Sequence, residues 1–273
     1  LSDMAQLSGS QEIWLTNGVQ LGFVLGALII AVFNISDIVS LTKLIGLCCT
    51  GAALANALLI FSNGGGQIVS LRLLTGAALA GVYAPCVKLI ATWFKTGRGI
   101  ALGTIIGALT VGSALPHLLR AMATEANWQS VIFVSSATTF LAGLLFALVV
   151  KEGPHAFARA TFNPFQIFQI LRNRPLALVN IGYVGHMWEL YAMWAWILTF
   201  ARHASDKFTT FPLSSPEYLS FCVVAAGGIG CVIAGRLSDV YGRCLTTAGL
   251  MFISGFCAIL IGYSIEVSPL FFA

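Results

Sequence analysis

Charged residues are rare in this chain. Only 14 of 273 residues are Lys or Arg and 10 are Asp or Glu, 9% together, against about 25% in an ordinary soluble domain. With 58% hydrophobic residues and a mean hydropathy of +0.90, a water-soluble globule is excluded and an integral membrane protein remains. The seven cysteines (Cys48, Cys49, Cys86, Cys222, Cys231, Cys244, Cys257) form no C-x-x-C pair and lie in or at the ends of apolar segments, so they read as packing residues. The chain has no H-E-x-x-H, no G-x-S-x-G and no phosphate-cradling G-x-x-x-x-G-K. Its four histidines (His117, His155, His186, His203) are scattered over different segments. These absences argue against an enzyme and predict no cofactor and no metal. The net charge of +4 sits in short loops rather than on one basic face, so no nucleic-acid partner is expected. The chain has no initiator Met, residues 1–11 are polar unlike a signal peptide, and residues 269–273 turn apolar and stop; a partial chain is expected.

What is present is a series of apolar runs of about 20 residues, the length a helix needs to cross a bilayer, rather than the ten-residue alternation of a barrel. The fold class is therefore all-α, a polytopic helical membrane protein. Eight spans are read, at 13–33, 43–62, 68–92, 99–120, 128–150, 176–200, 217–236 and 244–264. One set of alternate loops carries Lys43, Lys95, Arg98, Lys151, Arg159, Arg172, Arg174, Arg236 and Arg243, the other only Arg120, Arg202 and Lys207. Positive residues stay inside, which puts the first set in the cytoplasm. The Asn34-Ile35-Ser36 sequon falls on that side and is discounted. A multi-pass protein of a cell membrane is expected, with a bacterial inner membrane as the first choice. The longest cytoplasmic connection, 151–174, carries Asn163-Pro164 as cap and first turn. Phe165, Phe168 and Leu171 then oppose Gln166, Gln169 and Arg172, which predicts a short interfacial helix.

Residues 235–243 read G-R-L-S-D-V-Y-G-R, a charged loop between two spans. Gly235 and Gly242 permit tight backbone geometry where one helix gives way to the next. Asp239 offers a carboxylate to a helix N-terminus or a cation, and Arg236 and Arg243 anchor the inner side. With Gly235, Leu237, Asp239, Gly242 and Arg243 in place, the stretch resembles the G-x-L-x-D-x-x-G-R signature of the major facilitator superfamily of secondary transporters. Arg72-x3-Gly76-x3-Ala80-Gly81 with Pro85, then Trp93-Phe94 and Arg98-Gly99-x3-Gly103, are similar to the family's fourth and fifth helices. The first-half loop from Asn34 to Lys43 keeps Asp37 but lacks the glycines and the Arg. Gly107-Ala108 stands where antiporters of the family tend to carry Gly-Pro, so antiport is not implied.

The resemblance implies two six-helix bundles of which this chain holds the second to ninth helices. Residues 1–150 would belong to the N-terminal bundle, 151–174 to the connection, and 175–273 to the C-terminal bundle, up to the start of the tenth helix. It implies transport by alternating access, with a monomer in the lipid bilayer. Small residues recur at every fourth position in three spans: Gly18, Gly22, Gly26; Gly99, Gly103, Gly107; and Ala226, Gly230, Ala234. Such stripes let helices approach closely. In the family the second and fifth helices face the eleventh and eighth, so the second and third stripes should pair while the first faces an absent helix. Asp239 would meet the N-terminus of the fifth helix at Thr96 to Gly99, with Arg98 as an added cation, so that Gly235, Asp239, Gly242, Arg243 and Arg98 form a conformational latch.

The span at 176–200 is the richest in chemistry. His186 and Glu189 lie roughly 15 to 20 Å from its inner end, on one face at i and i+3. An ionisable group at that depth is costly and is a functional candidate; here the pair is a possible proton relay, or else a structural hydrogen bond. Trp188 and Tyr191 flank a solute or pack. Trp194 and Trp196, with Trp14, Trp93 and Trp128, fit an interfacial belt. Arg72, with Gly76, Leu79 and Tyr83 on its face, receives an anion, pairs with Glu189 or snorkels outward. Lys88 is expected to snorkel to the inner surface. Asn17 and Gln20, polar and three apart, are candidates for the pathway lining.

The reading is a small-solute transporter, a symporter coupled to H+. An anion met by Arg72 is one substrate class and an organic cation met by Glu189 the other. A weak similarity to nitrate, nitrite or cyanate permease-like members is offset by the missing Arg inside spans 13–33 and 217–236. A receptor or assembly subunit of the same fold is the competing class.

Overall fold

A computed structural model describes residues 9–62, 64–122, 128–155, 169, 172–207 and 215–267. Nearly all of these are helical, and none of the described residues is in a strand. The chain packs as two compact units. The first holds α1 (Gly9–Val32), the short α2 (Ile35–Ile38), α3 (Leu41–Ala57), α4 (Gly65–Ala91) and α6 (Trp128–Leu148). The second holds α5 (Arg98–Met122), α7 (Arg174–Lys207), α8 (Pro216–Tyr241) and α9 (Arg243–Val267).

In the first unit α1 lies along α4, while α3 packs on both α4 and α6. Asn34, in the left-handed region at φ 54°, turns the chain between α1 and α2. The N-terminus of α3 is closed twice. Ser40 Oγ accepts from Lys43 N at 3.4 Å, and the Glu152 carboxylate accepts from Leu41 N at 2.6 Å. Residues after α6 are tied down by the end of α4: Gly153 N donates to Thr92 Oγ1 at 2.8 Å, His155 N to the Thr92 carbonyl at 3.0 Å, and Trp93 Nε1 to the Lys151 carbonyl at 3.1 Å. Apolar packing of Leu41, Ile45, Cys49 and Leu89 fills the space between α3 and α4 near this end.

Close approach of α1 and α4 depends on glycine. A Cβ on Gly22 would overlap the Leu73 carbonyl, one on Gly26 the Ala77 carbonyl, and one on Gly76 the Val19 carbonyl. The stripe Gly18, Gly22, Gly26 is therefore covered within this chain. That corrects the expectation that it faces an absent helix: a small-residue stripe reports that a backbone comes close, without saying which one.

In the second unit α8 packs along α5 and more lightly on α7 and α9. Ser215 caps α8 by accepting from Tyr218 N at 3.1 Å, and Pro216 opens its first turn. Opposite Gly99, Gly103 and Gly107 stand Gly235, Cys231 and Gly228. The contact face of α8 is thus Gly228, Cys231 and Gly235 rather than the expected Ala226, Gly230 and Ala234. A Cβ on Gly230 would meet nothing, because two residues along a helix turn the side chain by about 200°.

Two further readings are corrected. First, the charged stretch at 235–243 is not a loop: α8 runs through Tyr241, Gly242 alone breaks the helix at φ 86°, and α9 starts at Arg243. Gly242 needs its conformational freedom, whereas Gly235, inside the helix, serves close packing. Second, the span read at 176–200 is part of a longer helix: among the described residues seven helices meet the length and hydropathy of a span, and the stretch at 176–200 belongs to one more long helix. The remaining helix, α7, has 34 residues, about 51 Å at 1.5 Å each, and continues past residue 200 to Lys207. Asn180, His186 and Glu189 lower its hydropathy. The expected interfacial helix at 163–172 lies mostly outside the described residues.

Gly22→Ala should destabilise the protein by about 1 to 3 kcal/mol in reversible detergent unfolding, because two backbones must separate to admit one methyl group. Gly182→Ala, where a Cβ meets nothing, should stay within about 1 kcal/mol of the parent. Equal effects at the two positions would mean that α1 and α4 are not in backbone contact.

Candidate functional site

Three polar features interrupt the apolar helices. The first is a cleft of about 430 Å³ in the first unit, lined by Gln20 of α1, Asn56 of α3, Arg72 and Thr75 of α4, and Ser135 and Thr139 of α6. Arg72 is seven residues from the start of α4, about 10 Å along it, deeper than its distance from the start of the expected span implied. It is half-buried. Its Nε donates to the Leu15 carbonyl at 2.9 Å. Across the cleft, Asn56 Nδ2 donates to Ser135 Oγ at 3.1 Å and Ser136 Oγ at 2.9 Å, which binds α3 to α6. Such bonds between membrane helices contribute about 0.6 to 1.7 kcal/mol each.

The cleft brings together Arg72 and Gln20 from the candidate set. Asn17 is exposed and is not among its lining residues. Tyr83 lies three turns beyond Arg72 and does not line the cleft either. Asn56, Ser135 and Thr139 were missed. The available signals were a lone amide in the apolar run Ala52 to Phe61 and the Ser135-Ser136-Ala137-Thr138-Thr139 cluster.

The second feature is at the end of the second unit where α8 gives way to α9. Asp239, on the last turn of α8, accepts from Gly99 N with Oδ1 at 2.9 Å and from Ile100 N with Oδ2 at 3.1 Å. Both donors belong to the first turn of α5, where N–H groups lack intrahelical partners and the helix dipole favours an anion. Arg98 opens that turn, and Arg243 opens α9 one residue beyond Gly242. Gly99 and Gly235 make the grip possible, since a Cβ on either would strike the other's carbonyl.

The third feature is the exposed face of α7. Glu189 is half-buried and accepts from Ser254 Oγ of α9 at 2.6 Å. Among the described residues His186 is exposed and Glu189 is bonded to Ser254, not to His186, so the i and i+3 spacing produces no pair in this state. Trp188 and Tyr191 are exposed, Trp188 at 81%. Trp194 is not an interfacial anchor. It packs against the core of Ala114, Ile197 and Val224, stands edge-on to Tyr191 at 5.8 Å, and its indole N–H is buried without a partner among the described residues.

Lys88, expected to reach the inner surface, forms an ion pair with Asp37 and donates to the Ser36 carbonyl at 3.3 Å, both in the short α2 between α1 and α3, so the first-half acid is neutralised by α4 of its own unit.

A profile of the Major Facilitator Superfamily matches residues 2–273. The MFS-type transporter pytF of Aspergillus terreus (strain NIH 2624 / FGSC A1156) is 25% identical over 181 residues, which make up 64% of this chain. The chain spans 58% of the length of that curated relative.

A double-mutant cycle of Asp37→Asn and Lys88→Met, read by detergent unfolding, should give a coupling of about 1 to 2 kcal/mol for this largely buried pair. A value below about 0.5 kcal/mol would make it an ordinary surface pair.

Proposed function

The chain belongs to the major facilitator superfamily, and on that premise we propose that it is the greater part of a proton-coupled secondary transporter that moves a small anion across a cell membrane by alternating access. The observation that carries this reading is the grip of Asp239 on the first turn of α5. A helix-end contact of this kind contributes only about 0.3 to 1 kcal/mol when exposed and up to about 2 kcal/mol when partly buried. That is enough to bias a conformational equilibrium and too little to hold a fold. It sits at the cytoplasmic end of a seam in which backbones touch without interlocking side chains, a contact that can close tightly and still part.

Within this reading Gly235, Asp239, Gly242, Arg243 and Arg98 act as a latch. The solute anion is met by Arg72 in its cleft, because a half-buried guanidinium with no carboxylate against it among the described residues favours an anionic ligand. Glu189 carries the coupling proton: a carboxylate on a membrane helix, held by one neutral hydroxyl, is poised to exchange one. His186, three residues before it, tunes that exchange when α7 moves. The lipid bilayer is the remaining partner, and the working unit is a monomer.

The test is uptake by the complete protein in proteoliposomes, using labelled lactate as the probe anion. An inward proton gradient should drive accumulation that an uncoupler dissipates. Glu189→Gln should abolish that accumulation while retaining solute exchange, and substitution of His186 should shift the pH profile. Gradient-driven accumulation that survives Glu189→Gln would remove Glu189 from the coupling step, and no transport of any anion would contradict the reading as a whole.

A further inference from the structure

On the proposed reading that the solute binds around Arg72, its chemistry is set by how that cleft sorts its hydrogen-bonding groups. Three of the four hydroxyls that line the cleft, all but that of Thr16, commit their protons to the helices that carry them. Thr75 donates to the Leu71 carbonyl at 2.7 Å, Thr139 to that of Ser135 at 2.7 Å, and Ser135 to that of Ile132 at 3.0 Å. Since Ser135 has committed its only proton, it can only accept from Asn56, at 3.1 Å. That orients the amide: its N–H groups go to Ser135 and Ser136, and Oδ1 is the atom Asn56 still has to offer. The α3 and α6 side of the cleft therefore presents acceptors, Asn56 Oδ1 and the lone pairs of Thr139. The α1 and α4 side presents donors, Arg72 and the Gln20 amide: among the described residues only the Nε of Arg72 is engaged, on Leu15, and no carboxylate pairs with it.

A bare inorganic anion such as nitrate would satisfy Arg72 and leave those acceptors unpaired, and a desolvated group without its partner is costly. A plain cation donor would satisfy the acceptors and oppose Arg72. We infer that the cleft takes a small organic carboxylate that carries its own hydrogen-bond donor, a hydroxy acid, with the carboxylate on Arg72 and the hydroxyl toward Asn56 and Thr139. The volume of about 430 Å³ is in the range of small-molecule sites.

Binding to the complete protein in detergent, followed by thermal shift and direct titration, tests this with matched acids: lactate against propionate, and malate against succinate. The hydroxy acid of each pair should bind at least about fivefold more tightly, the factor one satisfied hydrogen bond supplies. Thr139→Val should erase that preference and leave propionate and succinate unchanged, while Arg72→Gln should abolish binding of all four. Equal affinities within both pairs on the parent protein, with binding still lost in Arg72→Gln, would overturn the inference and leave the anion site standing. Failure of all four acids to bind the parent would overturn both the inference and the anion reading. The comparison on the parent needs no variant to fold, and retention of the preference in a well-folded Thr139→Val would also count against the inference.

Discussion

Backbone contact between helices is the constraint on which the rest depends. In lipid, apolar side chains gain little by leaving one hydrocarbon environment for another, so helices associate through close packing and a few polar bonds. Here α1 meets α4 through Gly22, Gly26 and Gly76, and α5 meets α8 through Gly99, Gly107, Gly228 and Gly235. Only at that separation does the short side chain of Asp239, one turn past Gly235, reach the amides of Gly99 and Ile100. A longer acid on more distant helices would arrive with more rotamers to lose and no fixed geometry.

The two seams differ in what lies beside them. The α1–α4 seam flanks a cleft whose Arg72 is anchored to α1 through Leu15, and Asn56 ties the far wall to α6. The α5–α8 seam ends in the Asp239 contact at one side of the membrane. At the other, α7 joins α8 through Arg202 and Glu217, whose Nη2–Oε1 distance is 2.7 Å. Apart from the Ser254–Glu189 bond between α9 and α7, most interhelical polar bonds among the described residues lie at helix ends or in one cleft.

Much of the fold was legible because it follows from local rules. Most helix ends fell within a few residues of the apolar boundaries, with α7 and α8 running several residues past theirs, and the meeting of Asp239 with the first turn of α5 was what the family resemblance implied. What was not legible was non-local. The stripe on α1 reported a close neighbour without identifying α4, and the face used by α8 depended on a register that Cys231 shares with two glycines. Asn56 carries no mark of importance in its own segment, because its importance comes from Ser135 and Ser136, some 80 residues away. Glu152 reads as a loop charge until it meets the α3 N-terminus across 111 residues. Lys88 reads as a lysine that snorkels to the inner surface, and only the fold shows that Asp37 meets it there. His186 and Glu189 share a helical face, but Ser254 of α9 offered Glu189 a nearer partner.

The central claim is that the cytoplasmic end of the α5–α8 seam closes and opens under the control of Asp239. Distance distributions between spin labels at the exposed positions Thr104 and Val240, in the complete protein with its native cysteines replaced, measure this directly. The account predicts a dominant short distance in the parent, with Asp239→Asn transferring population to a longer one while the protein remains folded. A single unchanged distance in both, in protein that still transports, would contradict it.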